Sequence, residues 1–255
     1  MNFFSIFRFH YVNLFNKKNS LIMIGCLLIY CLSSFLIYNA ESNTYTTVYF
    51  IFNSPRIPTL DLFRALLLVL SFVLVCTHFM QTEIRLRSIY ILLRIKSNKL
   101  YFHSLFSTMI LFTVIFMTIS YIIAFLLTFV FFKIAIFNVE SFSQTIDSHI
   151  LYQQYLLLTL SIITLLISNM IIILLIKNSE LSTVIFILLF VSSFYFICTN
   201  PNNYLYIPFL YGFFNPTTHL VDKVYPLKIT ILCFSCITLY GISYFIYLRR
   251  KDFFS

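Results

Sequence analysis

Few side chains in this sequence have the type and spacing needed to move protons, hold a metal or attack a bond. Asp61 and Arg64 lie one helical turn apart and can neutralise each other, which reads as a local ion pair. Cys233 and Cys236 share a helix face at C-x-x-C spacing, as in a dithiol or half a metal site, but no second ligand pair accompanies them. His78 is the one histidine inside an apolar run, and that run offers it no acid for a proton relay. Carboxylate pairs for ion coupling, a His/Glu cluster for intramembrane proteolysis and a nucleophile–base pair are all missing from the apolar runs. With three glycines the chain also lacks a G-x-x-x-x-G-K-[ST] phosphate loop. The expectation is a chain that is not an enzyme and carries no metal or cofactor; if ATP drives it, another chain hydrolyses the ATP.

What remains is a charged segment. Residues 83–103, EIRLRSIYILLRIKSNKLYFH, hold five of the 17 Lys and Arg against one acid, Glu83. Glu83 and Arg87 stand at i, i+4 with the acid first, the favourable order on an α-helix. Ile89, Leu92 and Leu93 then give a face that water alone would not tolerate. Two readings stand: a helix that a soluble partner grips, or a basic interfacial loop that only sets orientation.

The elements that position these groups are membrane spans. The chain of 255 residues is 60% hydrophobic and 10% charged, too few charges to cover a surface facing water. Six apolar runs emerge, at 21–38, 62–80, 105–132, 155–176, 183–198 and 227–248, the third long enough to tilt or project and the fifth short for a crossing. The expected fold class is an all-α integral membrane protein, a single six-span domain over 1–255, with no cleavable leader. One side of the membrane receives 12 Lys and Arg and the other five, which places both termini and the 81–104 segment in the cytoplasm. A net charge of +9 is therefore an orientation signal rather than a nucleic-acid footprint. Residues 1–19 read as an amphipathic interfacial helix, with Phe3, Phe4, Phe7, Tyr11, Leu14 and Phe15 on one side and Asn2, Ser5, Asn13 and Asn16 opposite. The cysteines, mostly within apolar runs, read as small buried residues rather than a disulfide framework.

Three further segments carry signals. Lys177-Asn178-Ser179-Glu180 is a tight turn before the fifth run, with Asn178 or Ser179 as the helix cap. Residues 200–226 are too apolar for a solvated loop and broken by Pro201, Pro208, Gly212, Pro216 and Pro226, which suggests short helices re-entering the outer leaflet. Ser161, Thr164 and Ser168, spaced along one helix, are either packing contacts or the lining of a pathway.

With these pieces in order, the chain resembles, over essentially its whole length, the membrane subunit of a type-2 ABC exporter. Such permeases carry a coupling helix after span two, with the pattern E-x-x-x-[small]-x…L-L, and then a polar residue opening span three. Glu83, Arg87-Ser88, Leu92-Leu93 and His103 match that order, although Arg87 replaces a common glycine and His103 a common lysine. The turn 177–180 resembles their turn before span five. Asn215-Pro216-Thr217-Thr218-His219-Leu220 resembles the N/S-P-x-T signature of their re-entrant outer segment. The resemblance implies an ATPase-coupling set of Glu83, Arg87, Ser88, Ile89, Leu92, Leu93, Arg94, Lys177 and Glu180. The outer gate candidates are Pro208, Asn215 and Pro216. It also implies two cytoplasmic ATPases carrying ATP and Mg, a second permease (identical or related) and an amphipathic or hydrophobic peptide as cargo. Within the class the chain looks like exporters of phenol-soluble modulins in the plasma membrane of Gram-positive bacteria; lantibiotic-immunity permeases are similar in size. The alternative of a different class is a non-transporting anchor or sensor that recruits a soluble partner to the bilayer.

Overall fold

Runs rich in leucine, isoleucine and phenylalanine leave backbone N–H and C=O groups no partner in lipid except each other, and a helix satisfies them within one segment. The computed structural model describes residues 2–37, 44–52, 58–87, 98–134, 148–176, 178–199, 206–213 and 221–249, and every element among them is helical. In order these are α1 (Phe3–Leu14), α2 (Lys17–Ile37), α3 (Thr44–Phe52), α4 (Pro58–Gln81), a π-helical turn (Thr82–Arg87) and α5 (Asn98–Ile134). They are followed by α6 (Ser148–Ile176), α7 (Ser179–Thr199), a 3-10 turn (Pro208–Leu210) and α8 (Val221–Arg249).

Among the described residues, five stretches are long and apolar enough to cross a bilayer: Asp61–Ile84, Asn98–Val130, Ser148–Ile176, Glu180–Thr199 and Tyr225–Arg249. They coincide with the second to sixth expected runs, so the fold is that of an all-α, multi-pass membrane protein. The first expected run falls on α2, which has 21 residues and opens on the polar turn Lys17-Lys18-Asn19-Ser20. α7 corrects one expectation: it has 21 residues rather than sixteen, because the helix starts at Ser179 behind an Asn178 cap. Pro226 is a second difference, lying inside α8 instead of breaking the chain before it. α5, at 37 residues, rises about 55 Å, well beyond a hydrocarbon core of about 30 Å.

α6 is the central helix. It packs on α3, α4, α5, α7, α8 and the 3-10 turn, and 67% of its most apolar stretch is buried, against 11% for α8. α8 accordingly turns Phe234, Ile237 and Phe245 outward, a face suited to lipid. α6 and α4 are also joined by a polar contact, Asn169 Nδ2 donating to Thr77 Oγ1 at 2.6 Å with both residues buried. Interhelical bonds of this kind are worth about 0.6–2 kcal/mol in a membrane. Asn169→Leu is expected to lower stability by that amount, measured by unfolding in mixed micelles with rising SDS.

Candidate functional site

Two buried polar clusters stand near opposite ends of α4, about 28 Å apart at 1.5 Å per residue. The first forms where the charged segment begins. α4 runs straight into the π-helical turn Thr82–Arg87, a rare geometry with i→i+5 bonding. Glu83, near its start, has no exposed surface. A carboxylate so placed needs partners, and two other helices bring them. His10 Nδ1 of α1 lies 3.1 Å from Oε2, and Asn13 Nδ2, also of α1, donates to Oε1 at 3.2 Å. The Tyr101 hydroxyl of α5 donates to the Glu83 backbone carbonyl at 2.8 Å and stands 3.4 Å from Oε2. The His10 ring meets Tyr101 and Phe79 edge-on, with centroids 4.9 and 6.1 Å apart.

α1 can deliver His10 because Ile6, His10 and Leu14 recur at i, i+4 and i+8, and all three are buried. Beside that stripe Phe3, Phe7, Tyr11 and Phe15 form a ladder of ring contacts that ends on Phe112 and Phe116 of α5. The structure therefore turns Glu83 inward, toward α1, rather than outward. The i, i+4 relation expected of Glu83 and Arg87 presumes α-helical spacing, whereas the backbone there is π-helical and ends at Arg87. Ser88, Ile89, Leu92, Leu93 and Arg94 lie outside the described residues.

The second cluster centres on Arg64, which is 4% exposed. The expected pair is present, Nη1 donating to Asp61 Oδ1 at 3.1 Å. Nε donates to Ser34 Oγ of α2 at 2.8 Å, Nη2 donates to the Ile51 carbonyl of α3, and the guanidinium lies 5.9 Å from the Tyr30 ring centroid. α3 explains the arrangement. Its last-turn carbonyls have no intrahelical donor and need one from outside. Arg64 and the Tyr30 hydroxyl (2.9 Å) serve Ile51, while Gln154 Nε2 of α6 serves Tyr49 at 3.0 Å. A cation at a helix C-terminus also opposes the helix dipole favourably. A cavity of about 20 Å³, room for one water, lies beside the pair between Tyr30, Phe52, Phe194 and Phe213.

The remaining candidates are dispersed. Ser161 Oγ accepts from Gly212 N at 3.0 Å, fastening the turn after Pro208–Leu210 to α6. Thr164 Oγ1 lies 3.1 Å from Cys236 Sγ on α8, and Ser168 bonds back to the Thr164 carbonyl at 2.9 Å. All six cysteines are free thiols, and Cys233 is exposed while Cys236 is only partly so. Pro208 opens the 3-10 turn; Asn215 and Pro216 lie outside the described residues. Lys177 lies outside them too, and Glu180 is exposed in the first turn of α7. Asn178 is the cap, its Oδ1 accepting from the Glu180 and Leu181 amides at 3.0 and 3.4 Å. His103 Nδ1, at the start of α5, meets the Tyr240 hydroxyl of α8, and its ring stacks 5.3 Å from Tyr244.

Sequence reasoning missed His10, Asn13 and Tyr101 as the partners of Glu83. The available signal was the i, i+4, i+8 stripe of α1, in which a histidine takes a core position. It also missed Gly212, whose missing side chain is what allows its turn to touch α6. No family model, no curated protein and no solved structure matches this chain.

Proposed function

We propose that the chain is the permease subunit of an ATP-driven exporter, with α2 as its sixth crossing and the 81–104 segment as the handle for a separate ATPase. The observation that carries this reading is the basic segment hung between two long apolar helices, α4 and α5, with Glu83 at its base held by α1 and α5. A segment so rooted passes a push from outside the bilayer into three helices at once. The order of the remaining motifs supports it: an amphipathic start, a capped turn before α7, and a broken apolar segment before α8. An amphipathic or hydrophobic peptide, toxin or antimicrobial, suits a body with few intramembrane charges. The assembly comprises two permeases and two ATPases in the plasma membrane of a Gram-positive cell, with both termini cytoplasmic. Transport also requires two conformations that differ in affinity for the peptide.

The test is the double substitution Leu92→Asp/Leu93→Asp, assayed in native membranes. Two charges on an apolar docking face are expected to reduce ATPase co-purification and peptide export by at least about tenfold, as burying even one unpaired charge costs several kcal/mol. Wild-type association with wild-type export would remove the coupling assignment. Peptide-stimulated ATP hydrolysis by the purified complex separates this reading from a passive anchor, which would show none.

A further inference from the structure

Burial of Glu83 withdraws its carboxylate from any soluble partner and gives it an inward task. We infer that α1 is a clamp on the base of the 83–103 segment, with His10 and Asn13 as positioning residues that hold Glu83 and fix where the segment leaves the helical body. In its consequence for ATP coupling, this inference rests on the permease reading; as a statement about the junction, it does not.

Three observations carry it. First, His10 and Glu83 are both fully buried with Nδ1 3.1 Å from Oε2, so the carboxylate is enclosed by α1. Second, the groups converging on Glu83 come from far along the chain in both directions, Asn13 from 70 residues before and Tyr101 from 18 after. They meet at a π-helical turn, a rare single-turn geometry that is frequent at functional sites. Third, α1 is itself anchored. Phe15 packs on Phe112 at 5.1 Å and Phe116 at 6.0 Å of α5. The corner into α2 is tied by Asn19 Nδ2 to the Leu14 carbonyl at 3.1 Å and by Asn19 N to Asn16 Oδ1 at 2.8 Å. The opposite side of α1 carries exposed Arg8, Phe4 and Val12 and takes no part in the junction. The clamp is therefore one-sided, and its two faces can be altered separately.

The experiment is hydrogen–deuterium exchange on the purified full-length chain in nanodiscs. His10→Ala is expected to raise exchange across 82–97 by about tenfold or more, as loss of a buried contact at the base of the segment would, and to leave α6 to α8 unchanged. His10→Gln, which places a polar group of similar reach beside Oε2, is expected to restore most of the protection, and Arg8→Ala on the outward side to change nothing. Unchanged exchange at 82–97 in His10→Ala, or a rise spread evenly over all helices, would overturn the clamp. If His10→Ala does not accumulate, Glu83→Gln serves instead: its side-chain volume is kept, increased exchange is expected at the same residues, and an unchanged profile overturns the inference. With the partner ATPase present, His10→Ala is expected to keep ATPase binding and lose peptide-stimulated hydrolysis about tenfold, an energy of about 1.4 kcal/mol; full stimulation despite raised exchange would overturn the positioning role. A wild-type chain that binds no ATPase would remove the permease reading while the exchange result still decides the clamp.

Discussion

Arg64→Met is expected to destabilise the protein by about 3–5 kcal/mol, the cost of removing one partner from a buried ion pair. Methionine nearly fills the space, so the loss is electrostatic rather than steric. It leaves the Asp61 carboxylate, 6% exposed, without its 3.1 Å cation, and it takes a donor from Ser34 Oγ and from the Ile51 carbonyl. Arg64→Lys should recover only part, because a single ammonium nitrogen cannot stand where Nε, Nη1 and Nη2 each stand to reach Ser34, Asp61 and the Ile51 carbonyl. Arg64→Met combined with Asp61→Asn should cost less than Arg64→Met alone, since it leaves no bare charge. Unfolding titrations in SDS mixed micelles, followed by circular dichroism, would give all three values. An Arg64→Met protein within about 1 kcal/mol of wild type would mean that the pair is solvated and not buried.

That prediction bears on what the cluster is for. An ionisable residue within a membrane span is by default a functional suspect. Here two of the three partners of Arg64 just named, Ser34 and Ile51, belong to other helices, Asp61 lies one turn away on its own, and the space beside the side chain holds about one water. The side chain joins α2, α3 and α4 by completing the hydrogen bonding of a nine-residue helix too short to stand alone. The proposed coupling bears instead on the other polar cluster, where a carboxylate is enclosed at Glu83, the first residue of the charged segment.

How much of this was legible follows from the range of each interaction. The long helices were readable because lipid leaves an apolar run no other structure, and the Asp61–Arg64 pair and the Asn178 cap because they join residues two or three apart. α3 was not, since TYTTVYFIF has no helical signature and its carbonyls are served by Arg64 and Gln154, the latter 105 residues away. The same holds for His10 and Asn13 around Glu83, which a linear reading pairs with Arg87. Ser161, read as packing or pathway, turned out to hold the turn after Pro208. Nothing in a helical repeat names a backbone amide 51 residues later as its partner.

That last contact gives the second large effect. Gly212 lies so close to α6 that a Cβ there would stand 2.9 Å from Leu158 N and 3.0 Å from Leu157 O, and closer still to Leu158 Cα. Such backbone atoms belong to the most enclosed of the five long helices and have no room to retreat, so the turn must move instead. Gly212→Ala is expected to cost about 1–3 kcal/mol, the usual range for overpacking, and Gly212→Val more. Ser161→Ala, which removes only the 3.0 Å bond from Gly212 N, should cost about 1 kcal/mol. The order Val, Ala, Ser161→Ala distinguishes steric seating from a lost hydrogen bond. Displacement would also unseat Leu210, Tyr211 and Phe213, all buried in wild type. In a chain without its native cysteines, a Tyr211→Cys thiol should therefore label slowly on its own and quickly once Gly212→Ala is added. Equal labelling would show that the turn absorbs the methyl group without leaving α6. If the turn is a moving part of an export path, Gly212→Ala should alter peptide export while ATPase association stays at the wild-type level, because the substitution lies at the far end of α4 from Glu83.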